Sequence, residues 1–244
     1  VTLSYFGDRV TPAAELTRRH IPYAINVQCA SAEYPHDSAL DHFRDAYANA
    51  ETVFCVSKEN LGRVENSVAM KLDDAVIVDN PFSVDYLANP RWPGTDDGYR
   101  LACVGRLDFR SKGQDLLVDV LKQDKWRDRD LSVDLYGDAQ GDGIRIQELI
   151  RLHGLDPRVR YLGYCDDVEQ IWADHHGLIL PSRYEGAPLA VVEALLCNRL
   201  CITTRVGRNA ELIDDGVTGF LASAATAEWI AEALVLAWTA RGRW

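Results

Sequence analysis

The 244-residue chain lacks any apolar run of the ~20 residues that span a bilayer. Its stretch from Ala187 to Leu196 is short and contains Glu193. It also lacks an excess of positive charge. Lys and Arg total 26 against 37 Asp and Glu, a formal net charge of −11. That balance argues against a general binder of nucleic acid or of an anionic membrane, and leaves room only for a local basic pocket. No C-x-x-C pair occurs among the six cysteines, Cys29, Cys55, Cys103, Cys165, Cys197 and Cys201. Most sit in apolar runs and read as small buried hydrophobes of a reducing compartment. There is no repeat of solenoid period, no low-complexity tract, and no G-x-S-x-G, P-loop or H-E-x-x-H.

What is present is ordinary globular composition, 47% hydrophobic and 26% charged, which argues against disorder. Short β-branched runs alternate with longer helical stretches. Strands are expected at Tyr23–Val27, Thr52–Ser57, Ala75–Val78, Leu101–Gly105, Ser132–Tyr136, Val159–Leu162, Leu178–Leu180 and Leu200–Thr204. Helices are expected at Leu40–Asn49, Leu116–Asp124, Ile144–His153, Val168–Asp174, Pro188–Cys197 and Ala227–Ala240. Such repetition implies an α/β protein with parallel sheets and helices on both faces. The stretch from Asn89 to Gly98, rich in turn formers, reads as a linker. The domains expected are 1–97, a partial α/β domain with the linker, and 98–244, a complete Rossmann-like domain. Because the chain begins with Val1 and stops at Trp244 just after a helical stretch, both ends read as cut.

Two stretches carry candidate chemistry. In the first, a strand ends at Leu180, a polar loop follows, and Pro188 suits the first turn of a helix. The crevice at the carboxyl ends of parallel strands is where such sheets bind ligands. From Ala187 to Cys197, Glu193 is the only polar side chain, and its helical neighbours are Leu189, Ala190, Leu196 and Cys197. A carboxylate there is costly unless something hydrogen-bonds it. Either a buried Arg or backbone group does so, or a ligand hydroxyl does; we favour the ligand. Glu185 precedes it by eight positions. Between the two lie the free N–H groups of a helix start, a natural anion site. Hydroxyl acceptor, anion cradle, hydroxyl acceptor is the order of groups in a nucleotide sugar.

In the second stretch a strand ends at Gly105 and a helix begins after Gly113. Arg106 and Lys112 lie in the loop between them, with Arg110 as a further cation. Arg binds phosphate oxygens in a fork and Lys acts as a point charge, so the pair can neutralise a diphosphate. Solvated loop cations are the competing reading.

The stretches VGRLDFRSKGQDLLVDVL and PSRYEGAPLAVVEALLCNRLCITTRVGRNAELIDDGVTGFLA resemble the two signature stretches of retaining glycosyltransferases of family 4, the glycosyl transferases group 1. The resemblance covers roughly Thr52–Ala240 and implies a GT-B fold, two Rossmann-like domains with the donor held mainly by the second. It implies that Arg106 and Lys112 bind the donor diphosphate and stabilise it as it leaves, that Glu185 contacts the transferred sugar, and that Glu193 holds the ribose hydroxyls. Gly105 belongs to the same donor set. The backbone of Gly186, Ala187, Pro188 and Leu189 would pass the diphosphate and sugar. Gly137 and Tyr164 would border the nucleotide, Tyr164 near the base. Asn80-Pro81-Phe82 resembles the turn that ends the first domain.

The expected function is therefore transfer of a sugar from a nucleotide-diphosphate donor, with a UDP-sugar the first expectation, to a sugar or lipid-linked acceptor in cell-surface polysaccharide synthesis. The expected site is cytoplasmic, with peripheral association at the inner face of the membrane left open. No cofactor or metal is expected, because two cations and a helix start already face the diphosphate. The family's Gly-rich loop near its first strand has no counterpart before Tyr23, and Arg208-Asn209 stands where a double glycine is common. A non-catalytic nucleotide-sugar-binding fragment and a sugar-nucleotide epimerase are the rival readings.

Other motifs are set aside. Asp128-Arg129-Asp130 reads as a solvated loop. The stretch from Asp138 to Gly143 fails as a calcium loop, because Leu149 stands where a bidentate Glu is needed. His175-His176 has no partner carboxylate or Cys at metal spacing and reads as a helix C-terminal pair. His36 and Glu211 read as structural. Trp229 and Trp238 read as packing residues of the last helix.

Overall fold

The computed structural model describes residues 2–5, 11–30, 36–139 and 141–244. Val1 and Gln140, which fall within stretches read above, lie outside the described residues. The chain divides into two compact units. The first comprises Val1–Asn80, Tyr184–Pro188 and Val206–Arg208; the second comprises Pro81–Arg183, Leu189–Arg205 and Asn209–Trp244.

The first unit contains β1 (Thr2–Tyr5), α1 (Thr11–Arg18), β2 (Ala24–Val27), α2 (Leu40–Ala48), β3 (Thr52–Cys55), α3 (Lys58–Val68) and β4 (Val76–Ile77). Its four strands are all parallel, in the order β1-β2-β3-β4. Along β2 and β3 buried and half-buried residues alternate, so Ile25, Val27, Val53 and Cys55 face one core. Phe43, Tyr47, Val64 and Val68 join it from α2 and α3. The Ser57 hydroxyl accepts the Asn60 N–H and so caps α3, satisfying one of the donors a helix start leaves unpaired.

The second unit contains β5 (Tyr99–Val104), α4 (Phe109–Lys112), α5 (Gln114–Leu121), α6 (Asp124–Arg127), β6 (Leu131–Tyr136), α7 (Gly143–Leu152) and β7 (Val159–Gly163). It continues through α8 (Val168–Asp174), β8 (Gly177–Leu180), α9 (Leu189–Leu196), β9 (Leu200–Thr204), α10 (Asn209–Leu212), β10 (Gly219–Ala222) and α11 (Ala227–Ala240). The six strands are parallel, in the order β10-β9-β8-β5-β6-β7. The order reverses between β5 and β8, which makes their carboxyl ends the topological switch point. Successive strand residues point to opposite faces. Leu101, Cys103, Ile179 and Ile202 pack with α5, α7 and α11, whereas Ala102, Leu178, Leu180 and Cys201 pack with α8 and α9. Burial on both faces is why these strands read as continuous apolar runs.

Several expectations need correction. Strands β1 and β10 and helices α1 and α3 were not foreseen, and β4 holds two residues only. Helix α9 starts at Leu189, so Pro188 lies just ahead of it. The stretch 89–98 packs within the second unit. The buried Arg199 guanidinium donates to the carbonyls of Pro90 (3.1 Å) and Arg91 (2.8 Å) and lies 4.9 Å from the Trp92 ring. Cys55, Cys103, Cys197 and Cys201 are buried, but Cys29 and Cys165 are only half-buried. His175 meets a carboxylate remote in sequence, in a single pairing and not a metal-ligand cluster among the described residues. Its Nε2 lies 3.1 Å from Asp134 of β6, and its Nδ1 lies 2.7 Å from the Ile171 carbonyl.

Candidate functional site

The switch point of the second unit is built from the loops after β5 and β8. Asp108 caps the short helix α4, its carboxylate accepting the Arg110 N–H at 3.1 Å and the Ser111 hydroxyl at 2.5 Å. This fixes the turn that carries Lys112, whose stem lies over Gly105. Arg106 is exposed and in no ion pair among the described residues. Its carbonyl accepts from the Gln114 side chain at 2.8 Å, so its backbone is held while its guanidinium is not. The two cations foreseen from sequence therefore share the β5–α5 connection at the strand-order reversal, Arg106 in its loop and Lys112, expected in a loop, at the end of the short helix α4. Arg110 is exposed on α4.

A residue not foreseen fastens this loop to the next. The Arg183 guanidinium forks onto both Asp115 oxygens at 2.7 and 2.8 Å and also donates to the Phe109 carbonyl. Its own N–H reaches the Ser111 carbonyl at 2.8 Å. A bidentate Arg–carboxylate pair adds directional rigidity to charge attraction. Arg183 thus acts as a staple that orients the two switch-point loops.

Gly137, at the end of β6, approaches the same loop for a steric reason. A Cβ there would lie 2.0 Å from the Gly105 carbonyl oxygen, and its φ is +148°. Gly137→Ala is expected to lower stability by about 1–3 kcal/mol and to displace the Gly105–Arg106 backbone. A lower urea midpoint together with weaker nucleotide binding checks this; an unchanged midpoint contradicts it.

Glu193 sits on α9 with 5% of its surface exposed. Its Oε1 accepts the Ser83 N–H at 3.0 Å, and its carboxylate takes no other hydrogen bond among the described residues. Burial pushes this carboxyl above the usual range, and the bond from Ser83 only partly offsets it. The backbone partner weighed from sequence is therefore present. Tyr164, in the loop after β7, is 74% exposed, and a hydrogen bond to Asp166 raises its phenol above the ordinary value.

Glu185, Gly186, Ala187 and Pro188 belong to the first unit. Glu185 is buried there. Asn60, 1% exposed, was not foreseen, and it organises this segment. Its Nδ2 donates to Ser57 Oγ at 2.7 Å and reaches the carbonyls of Glu185 and Gly186 at 3.4 Å, while its Oδ1 accepts the Ala30 N–H. A Cβ on Gly186 would lie 1.7 Å from the Gln28 carbonyl oxygen, so only glycine allows the approach. Arg208 pairs with Asp79 and donates its N–H to the Gly186 carbonyl at 2.9 Å. Leu189 opens α9 in the second unit and is partly exposed. The Asn209 side chain, in the second unit, donates to the Thr204 carbonyl at 2.9 Å.

The remaining motifs resolve simply. Asp128 and Asp130 are exposed on either side of Arg129. His36 caps a single 3-10 turn, and Glu211 is exposed on α10. Trp238 packs against Tyr99, whereas Trp229 is 40% exposed. No helix among the described residues is long and apolar enough to cross a membrane.

The six-stranded order and its switch point define a Rossmann-like α/β protein. The family described as glycosyl transferases group 1 matches residues 98–239, and the chain belongs to that family. An uncharacterized glycosyltransferase of Methanocaldococcus jannaschii is 27% identical over 182 residues, 74% of this chain and 47% of its own length. The GPI3 subunit of phosphatidylinositol N-acetylglucosaminyltransferase from Saccharomyces cerevisiae is 29% identical over 178 residues, 70% of this chain and 39% of its own. Among solved structures, Anabaena HepE in complex with UDP shares 21% identity at a TM-score of 0.79, over 98% of this chain and 69% of that one. At that identity the likeness shows the fold, which is of the GT-B type. The chain spans about half the length, or less, of these two curated relatives.

Proposed function

We propose that this chain carries the donor-binding part of a retaining glycosyltransferase that moves a sugar from a nucleoside diphosphate to an acceptor hydroxyl. The observation that carries this reading is the exposed Arg106, in no ion pair among the described residues, on the β5–α5 connection whose short helix α4 ends in Lys112. As the sugar leaves, negative charge grows on the diphosphate. Cations fixed in advance at that place stabilise it without reorganising, which is commonly the largest catalytic effect. Glu193 would take ribose hydroxyls, Tyr164 would lie near the base, and Gly105 and Gly137 would let the backbone approach. Glu185 would contact the sugar, and the backbone of Gly186–Leu189 would pass the diphosphate. UDP is the first candidate nucleotide, because a neighbour of the same fold is described in complex with it. The acceptor would be a sugar or a lipid-linked sugar. The reaction would need no metal, the cations supplying the charge.

Titration with UDP, GDP and ADP tests the reading. One nucleotide should bind, and Glu193→Gln should weaken it about tenfold to a hundredfold, the worth of charge-assisted hydrogen bonds. The ionised carboxylate is the better acceptor, so wild-type affinity should fall as pH drops through the raised Glu193 value. The folded protein binds a proton there more readily than the unfolded chain does. Ionisation therefore costs stability as pH rises through that value, and Glu193→Gln should melt higher than wild type at neutral pH. A variant that binds as wild type does, or that melts lower, contradicts the assignment.

A further inference from the structure

The opposite edge of the same sheet holds a second concentration of positive charge. A cavity of about 420 Å³ opens at the amino ends of β5, β6 and β7, lined by Arg100, Arg127, Arg129, Arg158 and Arg160. Asp97 and Asp130 also line it. The six residues of β5, at ~3.3 Å each, separate this edge from the Arg106 loop by roughly 20 Å. The cavity wall carries five arginines against two aspartates, in a chain of net charge −11.

These cations are unequally committed. Arg160 is largely spoken for, because its Nε and Nη2 grip the two Asp134 oxygens at 2.7 and 2.6 Å. Arg127 pairs with Asp124 at 2.9 Å, but both side chains are largely exposed, where such pairs contribute little. Arg100, Arg129 and Arg158 are in no ion pair among the described residues. The Arg129 guanidinium lies 4.3 Å from the Trp126 ring and 5.7 Å from that of Trp238, which fixes its plane. Arg158 donates to the Arg129 carbonyl at 3.2 Å, which holds it alongside. Arg129 Nη1 and Arg100 Nε are buried with no hydrogen-bond partner. Buried donors left unsatisfied are costly, and these two expose no surface to solvent. Asp128 is a further acid near Arg158.

We infer that this cavity is an anion site, separate from the switch-point loops, that takes a ligand bearing a multiply charged phosphate group, either free in solution or on a lipid headgroup. Planar guanidinium forks match phosphate oxygens. The volume lies within the range of small-ligand pockets and exceeds what a single phosphate fills.

The test uses inorganic pyrophosphate, titrated into the chain as it stands and into a variant with Arg106→Ala and Lys112→Ala together. Pyrophosphate also resembles a donor diphosphate, so the double variant removes that contribution and keeps this inference separable from the proposed function. Binding should survive the double variant, fall at least tenfold in Arg158→Gln, and weaken steeply with salt. Arg127→Glu, at an exposed position with little bearing on folding, should weaken it too. A parallel arm measures co-sedimentation with phosphatidylcholine vesicles with and without phosphatidic acid. Vesicle binding that requires phosphatidic acid and Arg158 identifies a headgroup; pyrophosphate binding without vesicle binding identifies a soluble ligand. The inference is overturned if neither probe binds, if binding disappears with Arg106 and Lys112, or if Arg158→Gln and Arg127→Glu both bind as wild type does.

Discussion

Lys112→Ala and Arg106→Ala, each made in the whole protein, should lower kcat/KM for sugar transfer by about 10²–10³-fold, the loss seen when one preorganised group that stabilises transition-state charge is removed. The two substitutions should differ in character. Lys112 is half-buried, with its stem against Gly105, so its ammonium is held in place and its loss should fall mainly on kcat. Arg106 is exposed, so its guanidinium gains order only on meeting the diphosphate, and its loss should raise KM as well. Lys112→Arg should recover only part of the rate, because a fork does not replace a point charge at one place. Rates within threefold of wild type for both alanine variants would remove the two residues from the proposed chemistry.

The second large effect is on stability. Asp134 is 2% exposed, with His175 at 3.1 Å and the Arg160 Nε and Nη2 on its oxygens. Burial alone would raise its carboxyl. Hydrogen bonds from His175 and Arg160 outweigh that and hold it below the usual range. Asp134→Ala strands the buried His175 ring and should cost about 1–3 kcal/mol, as leaving a buried group without its hydrogen-bond partner does; the Arg160 end is half exposed and adds little. A group whose carboxyl is depressed on folding contributes stability above its unfolded value, lost as pH falls through the folded one. The wild type should therefore lose this contribution in acid, and Asp134→Ala should lack that part of the pH dependence. All six tryptophans lie in the second unit, so their fluorescence follows unfolding of that unit in urea. A midpoint within experimental scatter of wild type at pH 7 would contradict the role.

How far the molecule was legible follows from where partners lie along the chain. Strands β5, β8 and β9 stood out because burial on both faces makes them unbroken apolar runs. Strand β10 begins with Gly219 and follows Gly216-Val217-Thr218, a turn composition that hides it. Helix α3 contains Gly62 and several polar residues, so its apolar positions Leu61, Val64 and Val68 give a weak period. Glu193 was visible as one carboxylate in an apolar run, and the Arg106–Lys112 loop as cations between a strand and a helix. Arg183, Asn60 and Arg199 were not, because what each holds is remote in sequence. Arg183 grips Asp115 68 residues away, Asn60 reaches Gly186 126 residues away, and Arg199 reaches Arg91 108 residues away. Such residues advertise nothing locally; only the fold brings their partners together.

The first unit is assembled from three separate stretches of chain. Asn60 and the Gln28 carbonyl accommodate Tyr184–Pro188, and the Arg208 N–H completes the set. Recombination between relatives at a single crossover near Asn80 would therefore mismatch them. A chimaera drawing its early strands from one parent and its later ones from another inherits Gly186 from the wrong lineage. Exchangeable halves of this protein must be spliced at five points, with Tyr184–Pro188 and Val206–Arg208 travelling alongside the early strands.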